Sequence, residues 1–235
     1  MDPVHPLQHR DVCLDDRHRA GLHAARAGRP QVGAGLDADL RALDALHAAL
    51  DRGAPTEVRG EIPTTGALIA SKHQSFLDSI LLFSVLPAPR FIMKKQLAWI
   101  PLMGWMALQA GFIPVDRGKR GAAIKKMMAD VEKGRATPGQ LIIYPQGTRV
   151  APGAHLPYKM GTAALYGQLE QPCYPVAANV GVFWPRHGIY RRPGTAVVEF
   201  LPPIQPGHTA AAFMVELETA IEDASNRLIA EARQG

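Results

Sequence analysis

The sequence predicts an α/β domain built on a mixed, largely parallel sheet flanked by helices. Two observations predict it. Short aliphatic runs alternate with segments of helical spacing, and strands separated by helices pair mainly in parallel. The chain also holds 20 prolines and 22 glycines among 235 residues, enough for the many turns such an alternation needs. At 47% apolar and 20% charged residues it is neither a disordered chain, a collagen-like repeat nor a small disulfide scaffold. Its length can bury a sizeable core.

The elements follow in chain order. Leu36, Leu40, Leu43, Leu46 or His47, and Leu50 recur at helical spacing, which reads as a packing face in preference to a partner- or membrane-binding one. Residues 67–70 read as a strand and 76–86 as a helix stopped by Pro87. Residues 96–115 carry no charge, but Gly104, Gly111, Pro101 and Pro114 make poor material for a membrane-spanning helix. Residues 97–108 instead read as a broad apolar helix, buried in the core or, preferably, lying in a membrane interface, followed by a strand at 111–115. Residues 121–133 form a helix ended by Gly134, and 141–144 a buried strand after the Pro138-Gly139 turn. A helix at 161–169 and strands at 174–179 and 196–201 precede a closing amphipathic helix, 209–232, with Phe213, Leu217, Ile221, Leu228 and Ile229 on its apolar side.

The composition is uneven along the chain. Residues 1–55 contain no Lys, Glu, Ile, Phe, Tyr, Trp, Ser, Thr or Asn, and Ala, Asp, Leu, Arg, Gly and His fill 44 of the positions. That segment has seven Arg against eight Asp, so residues 56–235 hold 19 basic and 13 acidic groups, a net of +6. Residues 1–55 are therefore expected to be an atypical segment, poorly ordered or read in a shifted frame in place of a membrane anchor, and 56–235 to be the functional domain. Residues 1–30 lack the apolar core of a secretory signal. Cys13 and Cys173 offer neither zinc spacing nor a redox pair, which favours a reduced compartment.

Four segments carry chemistry. In Ser71-Lys72-His73-Gln74-Ser75-Phe76-Leu77-Asp78, His73 falls at the carboxyl end of a strand, where open α/β sheets bind ligands. Ser75 and Asp78 have capping-box spacing, and Asp78 is also placed to hold the histidine as a general base. Gly111-Phe112-Ile113-Pro114-Val115-Asp116-Arg117 delivers Arg117 to a loop followed by Lys119, Arg120, Lys125 and Lys126. This is either a solvated basic face or an anion site. Tyr144-Pro145-Gln146-Gly147-Thr148-Arg149 offers amides, a hydroxyl and a guanidinium suited to phosphate. Tyr174-Pro175-Val176-Ala177 is a strand whose proline should confine it to an edge or an irregular position.

In this order the four segments resemble the blocks of the glycerophospholipid acyltransferase family, with the closest likeness to bacterial 1-acylglycerol-3-phosphate acyltransferases. The likeness runs from about Thr56 to the C-terminus. It implies the glycerolipid acyltransferase fold and transfer of a fatty acyl group from acyl-CoA or acyl carrier protein to a lipid hydroxyl, with no metal and no cofactor beyond that co-substrate. It places the catalytic pair at His73 and Asp78, phosphate contacts at Arg117, Gly147, Thr148 and Arg149, and the acyl-donor side at Pro175. Two departures stand out. Most members have Glu where this chain has Gln146, a change that is neutral or tunes acceptor choice. Most have Asn where it has Lys72, whose charge is expected beside the imidazole.

The implied partners are a lipid acceptor, the acyl donor and an anionic membrane surface, reached from the cytoplasmic face of a bacterial inner membrane. Glycerol-3-phosphate and lyso-ornithine lipid remain alternative acceptors, and a non-catalytic membrane-surface relative remains an alternative protein. Nucleic-acid binding is disfavoured, because no helix-turn-helix, zinc or RNA-stacking signature accompanies the basic residues.

Overall fold

The structure, a computed structural model, describes residues 55–99, 113–115, 125, 129, 139–186 and 191–234. The leucine stripe of 36–50, most of the 97–108 segment and most of the 121–133 helix lie outside these residues. Lys125 and Ala129 are helical, as expected.

The described elements are β1 (Thr56–Arg59), β2 (Ala67–Ser71), α1 (Phe76–Val85), β3 (Pro89–Lys94), β4 (Ile113–Val115), β5 (Gln140–Ile143), α2 (Gly161–Leu169), β6 (Cys173–Ala178), α3 (Val180–Phe183), β7 (Ala196–Phe200) and α4 (Ala210–Gln234). Among the described residues the strands form one sheet of seven, in the order β1-β7-β6-β2-β5-β3-β4. Five neighbouring strands, β6 to β4, run parallel, while β7 pairs antiparallel with β6 and takes β1 with it. The mixed, largely parallel sheet is thus the one the alternation predicts.

Strand alternation builds two apolar layers. Ala67 and Ile69 of β2, with Ile142 of β5 and Val176 of β6, face Leu77, Ile80 and Leu81 of α1. Leu68 and Ala70, with Leu141, Ile143 and Cys173, face Tyr166 of α2 and Phe213, Leu217 and Ile221 of α4. The ring of Tyr166 stacks on Phe213 at 3.9 Å between centroids.

The pattern passes over three elements. In β1, Glu57 and Arg59 alternate with smaller residues, so the strand reads as a polar loop. It is an edge strand whose Arg59 bridges to Glu57 and to Glu231 of α4, at 2.9 and 2.7 Å. β3 opens on a proline and includes Arg90 and Lys94, and α3 is a single turn. β1 ends at Gly60 (φ +83°), where any Cβ would stand 1.9 Å from the carbonyl oxygen of Phe200.

Of the two positions expected for Pro175, the edge does not hold and the irregular one does: β6 is an interior strand, between β2 and β7. The carbonyls of Pro172 and Val176 accept from Leu68 and Lys72 on the β2 side, so Pro175 presents its nitrogen and carbonyl to β7. Its carbonyl accepts from Leu201 N at 2.9 Å. Beyond that point the pairing slips by one residue, from Val176 opposite Phe200 to Cys173 opposite Ile204, across Pro202-Pro203. The missing donor falls where the ladder is already interrupted.

Leu217 is fully buried between α4 and the sheet. Leu217→Ala should lower unfolding free energy by about 2–5 kcal/mol, measured by urea titration. A loss below about 1 kcal/mol would show that α4 does not hold the second layer together.

Candidate active site

The carboxyl ends of β6, β2 and β5 leave the sheet on one edge, so the loops that follow them meet. Continuing the alternation of β2 sends Lys72 toward α4 and His73 toward α1. His73 Nδ1 lies 2.8 Å from Asp78 Oδ1, with Asp78 fully buried and the histidine side chain 18% exposed. The other carboxylate oxygen, Oδ2, accepts from the amides of Gln74 and Ser75, both at 2.8 Å. Ser75 caps α1, its hydroxyl accepting from Leu77 N, so the capping box is complete. Asp78 therefore caps a helix and orients a histidine at the same time. Because an ionised carboxylate only accepts, Nδ1 carries the proton and Nε2 is left as the acceptor.

Tyr144, at the end of β5, packs flat on the imidazole, with ring centroids 3.8 Å apart and 15° between planes. Its hydroxyl is 2.6 Å from Ser79 Oγ, which also donates to Asp78 Oδ1 at 3.4 Å. Burial first, then the Asp78 charge, hold the Tyr144 phenol well above its ordinary pKa, so it stays a neutral lid on the ring.

The segment after β5 turns back at once. Gly147 N donates to Tyr144 O at 2.8 Å across Pro145-Gln146, and Val150 N donates to His73 O at 2.8 Å, which brings this turn beside the histidine loop. Gly147 has φ +70° and lies under Lys159, whose Nζ would be 2.5 Å from any Cβ there. Thr148 and Arg149 are half-buried. Arg149 donates to Arg186 O at 3.0 Å and Arg186 returns a bond to Arg149 O at 3.3 Å. Val176 of the fourth segment accepts from Lys72 N at 2.9 Å. Gln74 adds a further tie, its Oε1 accepting from Gly181 N at 3.0 Å.

One expected placement changes. Lys72 does not sit beside the imidazole. It points to the opposite face, is 2% exposed, and places Nζ 2.6 and 2.7 Å from the two carboxylate oxygens of Glu222. Gln146 is 3% exposed and points the same way, donating to Leu156 O at 3.3 Å and to Glu222 Oε1 at 3.5 Å. Arg117 lies outside the described residues. Its strand β4 runs parallel to β3 and ends toward the same edge of the sheet.

Comparison with known proteins meets this arrangement. The family model described as Acyltransferase matches residues 55–179. The chain belongs to the acyltransferase family. Named relatives of this acyltransferase include the 1-acyl-sn-glycerol-3-phosphate acyltransferase of Pseudomonas aeruginosa, 28% identical over 177 residues that cover 74% of this chain and 69% of the relative. The enzyme of that name from Limnanthes alba is 33% identical over 65% of this chain and 55% of its own. The alpha form from Mus musculus is 32% identical over 68% and 58%. The chain thus spans little more than half the length of the plant and mouse relatives. The crystal structure of the 1-acyl-sn-glycerophosphate (LPA) acyltransferase PlsC from Thermotoga maritima superposes with a TM-score of 0.65 at 18% identity, over 92% of this chain and 84% of that one. It shares the acyltransferase fold.

Sequence reasoning passed over Tyr144 as a partner of His73, and over Ser79, Tyr158, Lys159 and Glu222 altogether. Tyr144 was detectable in principle, since it ends the strand next to His73. Glu222 carried no local signal, being 150 positions from its partner Lys72.

Removing the Asp78 carboxylate strips two buried amides of their acceptor. Asp78→Ala should lower stability by about 1–3 kcal/mol, and Asp78→Asn, which keeps an oxygen acceptor, by less. Equal losses on urea unfolding would deny the cap its part in the fold.

Proposed function

We propose that this acyltransferase moves a fatty acyl group from acyl-CoA or acyl carrier protein to the free sn-2 hydroxyl of 1-acylglycerol-3-phosphate, giving phosphatidic acid, with His73 as general base. The observation that carries the reading is the 2.8 Å contact between His73 Nδ1 and Asp78 Oδ1. The names of the relatives support the acceptor. In the proposed step the lipid hydroxyl gives its proton to His73 Nε2 as its oxygen attacks the thioester carbonyl. The tetrahedral intermediate then collapses, the C–S bond breaks, and the departing thiolate takes the proton back from the imidazolium. Asp78 holds the tautomer and balances the transient positive charge. No metal and no cofactor other than the acyl donor enters the scheme.

On this reading the acceptor phosphate is met by Arg117 and by the turn of Gly147, Thr148 and Arg149. Lys159 adds a cation, its ammonium lying over Gly147 and exposed to solvent. Pro175 belongs to the acyl-donor side, as the family likeness implies, and it stands beside Ala70 in the sheet.

The acceptor is a bilayer lipid, so the enzyme is expected to work at the membrane surface, on the cytoplasmic face of a bacterial inner membrane. No helix among the described residues is long and apolar enough to cross a membrane. Attachment would then be peripheral or monotopic, with the net +6 of residues 56–235 drawing the domain to anionic lipid.

Purified enzyme with labelled acyl-CoA and lysophosphatidic acid should form phosphatidic acid, and His73→Ala should turn over on the order of 10²–10⁴-fold more slowly while unfolding at a similar urea concentration. Near-normal transfer by that variant would remove the base. Silence with lysophosphatidic acid, glycerol-3-phosphate and lyso-ornithine lipid alike would favour a non-catalytic relative. Mixed with anionic liposomes on a density gradient, the protein should float. Its recovery only in the soluble fraction would argue against membrane attachment.

A further inference from the structure

We infer that Glu222 of α4 is a positioning residue for the base, holding Lys72, Gln146 and Tyr158 in one charge-compensated cluster that fixes both active-site loops to the last helix. This rests on the role proposed for His73.

Glu222 Oε1 collects three donors: Lys72 Nζ at 2.6 Å, Tyr158 OH at 2.9 Å and Gln146 Nε2 at 3.5 Å. Its Oε2 takes Lys72 Nζ again at 2.7 Å. Lys72 is buried, so its ammonium needs this one carboxylate, and the pair sums to zero charge. Gln146 can join because its carboxamide donates. A glutamate there would set acceptor against acceptor and bring a second negative charge to a single ammonium. The two departures from the family pattern, Lys72 for Asn and Gln146 for Glu, are therefore one coupled change, closed by Glu222. Gln146 answers to Glu222 and not to the choice of acceptor.

The cluster reaches the base through short covalent and packed links. Lys72 is bonded to His73. Gln146 is two residues from Tyr144, whose ring covers the imidazole. A shift of a fraction of an ångström at either loop changes where Nε2 points, and reaction rates are steep in such displacements. Among the described residues, the other titratable groups around the cluster are few. Glu218 acts on Tyr158 and is itself held by His155 at 2.6 Å, and His73 with Asp78 lies across β2. Burial and the Glu222 charge keep the Tyr158 phenol protonated, so it remains a donor throughout the useful pH range.

The test uses the whole chain with lysophosphatidic acid and acyl-CoA, comparing Gln146→Glu, Glu222→Gln and the double variant at pH 5.5 to 9. In Gln146→Glu the two facing carboxyls hold a shared proton to higher pH than either would alone, and the introduced carboxyl, while protonated, resembles the parent glutamine. The kcat of that variant relative to the parent should therefore fall roughly tenfold or more as pH rises through the range, with KM nearly unchanged. Glu222→Gln alone should lower kcat across the range. The double variant restores one carboxylate to one ammonium and should return kcat to within about threefold of the parent, with the pH dependence of the ratio gone. A purely structural role would lower the melting temperature of Gln146→Glu without this pH-dependent change in kcat well below melting.

Parent-like kcat for Gln146→Glu at every pH, or a double variant no better than the single, overturns the inference. If Gln146→Glu is insoluble, a soluble and active double variant supports the coupling and an insoluble one overturns it. His73→Ala separates the two readings. If it is dead while Gln146→Glu is normal, only the positioning role fails, and if it is active the base itself fails.

Discussion

One carboxylate serves two structures. Asp78 uses Oδ2 to take the amides of Gln74 and Ser75, which sets the start of α1, and Oδ1 to hold His73 Nδ1. Both oxygens are buried, so neither contact is diluted by water. The acid helps to set where the helix begins, and the helix in turn fixes the direction of the acid. Residues 74–77 are too short to let the histidine and the carboxylate wander independently. The geometry of the site is thus inherited from an ordinary capping motif, and the orienting role proposed for Asp78 rests on the same carboxylate as its capping role.

The strand that leads into this loop distributes chemistry between two faces. Because side chains alternate, His73 and Lys72 leave β2 on opposite sides, and the histidine meets Tyr144 while the lysine meets Glu222. A buried lysine next to the imidazole would oppose the imidazolium that the proposed mechanism requires. Sent to the other face and paired with Glu222, it leaves Asp78 as the charged partner of the imidazole among the described residues. What the lysine supplies there is attachment, since its ion pair joins the chain segment before His73 to a helix 150 residues later.

How much of this was legible depended on how local each cause was. The strand at β2, the helix α2 and the buried stripe of α4 rest on periodicity within a few residues, and they stand within a residue or two of the spans read from sequence. His73, Asp78 and the 144–149 turn were found because their spacing is itself local. β1 was missed because an edge strand with Glu57 and Arg59 looks like a loop until α4 supplies Glu231. The placement of Lys72 was misjudged for the same reason. Charge was assigned by proximity in sequence, whereas strand parity and a partner on a distant helix decide where that charge goes.

Pro175 shows the same dependence on tertiary context, with a consequence for the site. A proline in an interior strand would normally break the ladder. Here its nitrogen faces the antiparallel seam with β7, where the register slips at Pro202-Pro203, while the parallel seam with β2 keeps its bonds. The intact seam includes the bond from Lys72 N to Val176 O, immediately before His73. The irregularity is therefore confined to the side of β6 that does not touch the histidine loop, and the side that does is a regular ladder. Had the strand presented its proline one residue earlier or later, the missing donor would have faced β2, and the backbone that carries His73 would have lost part of its anchorage.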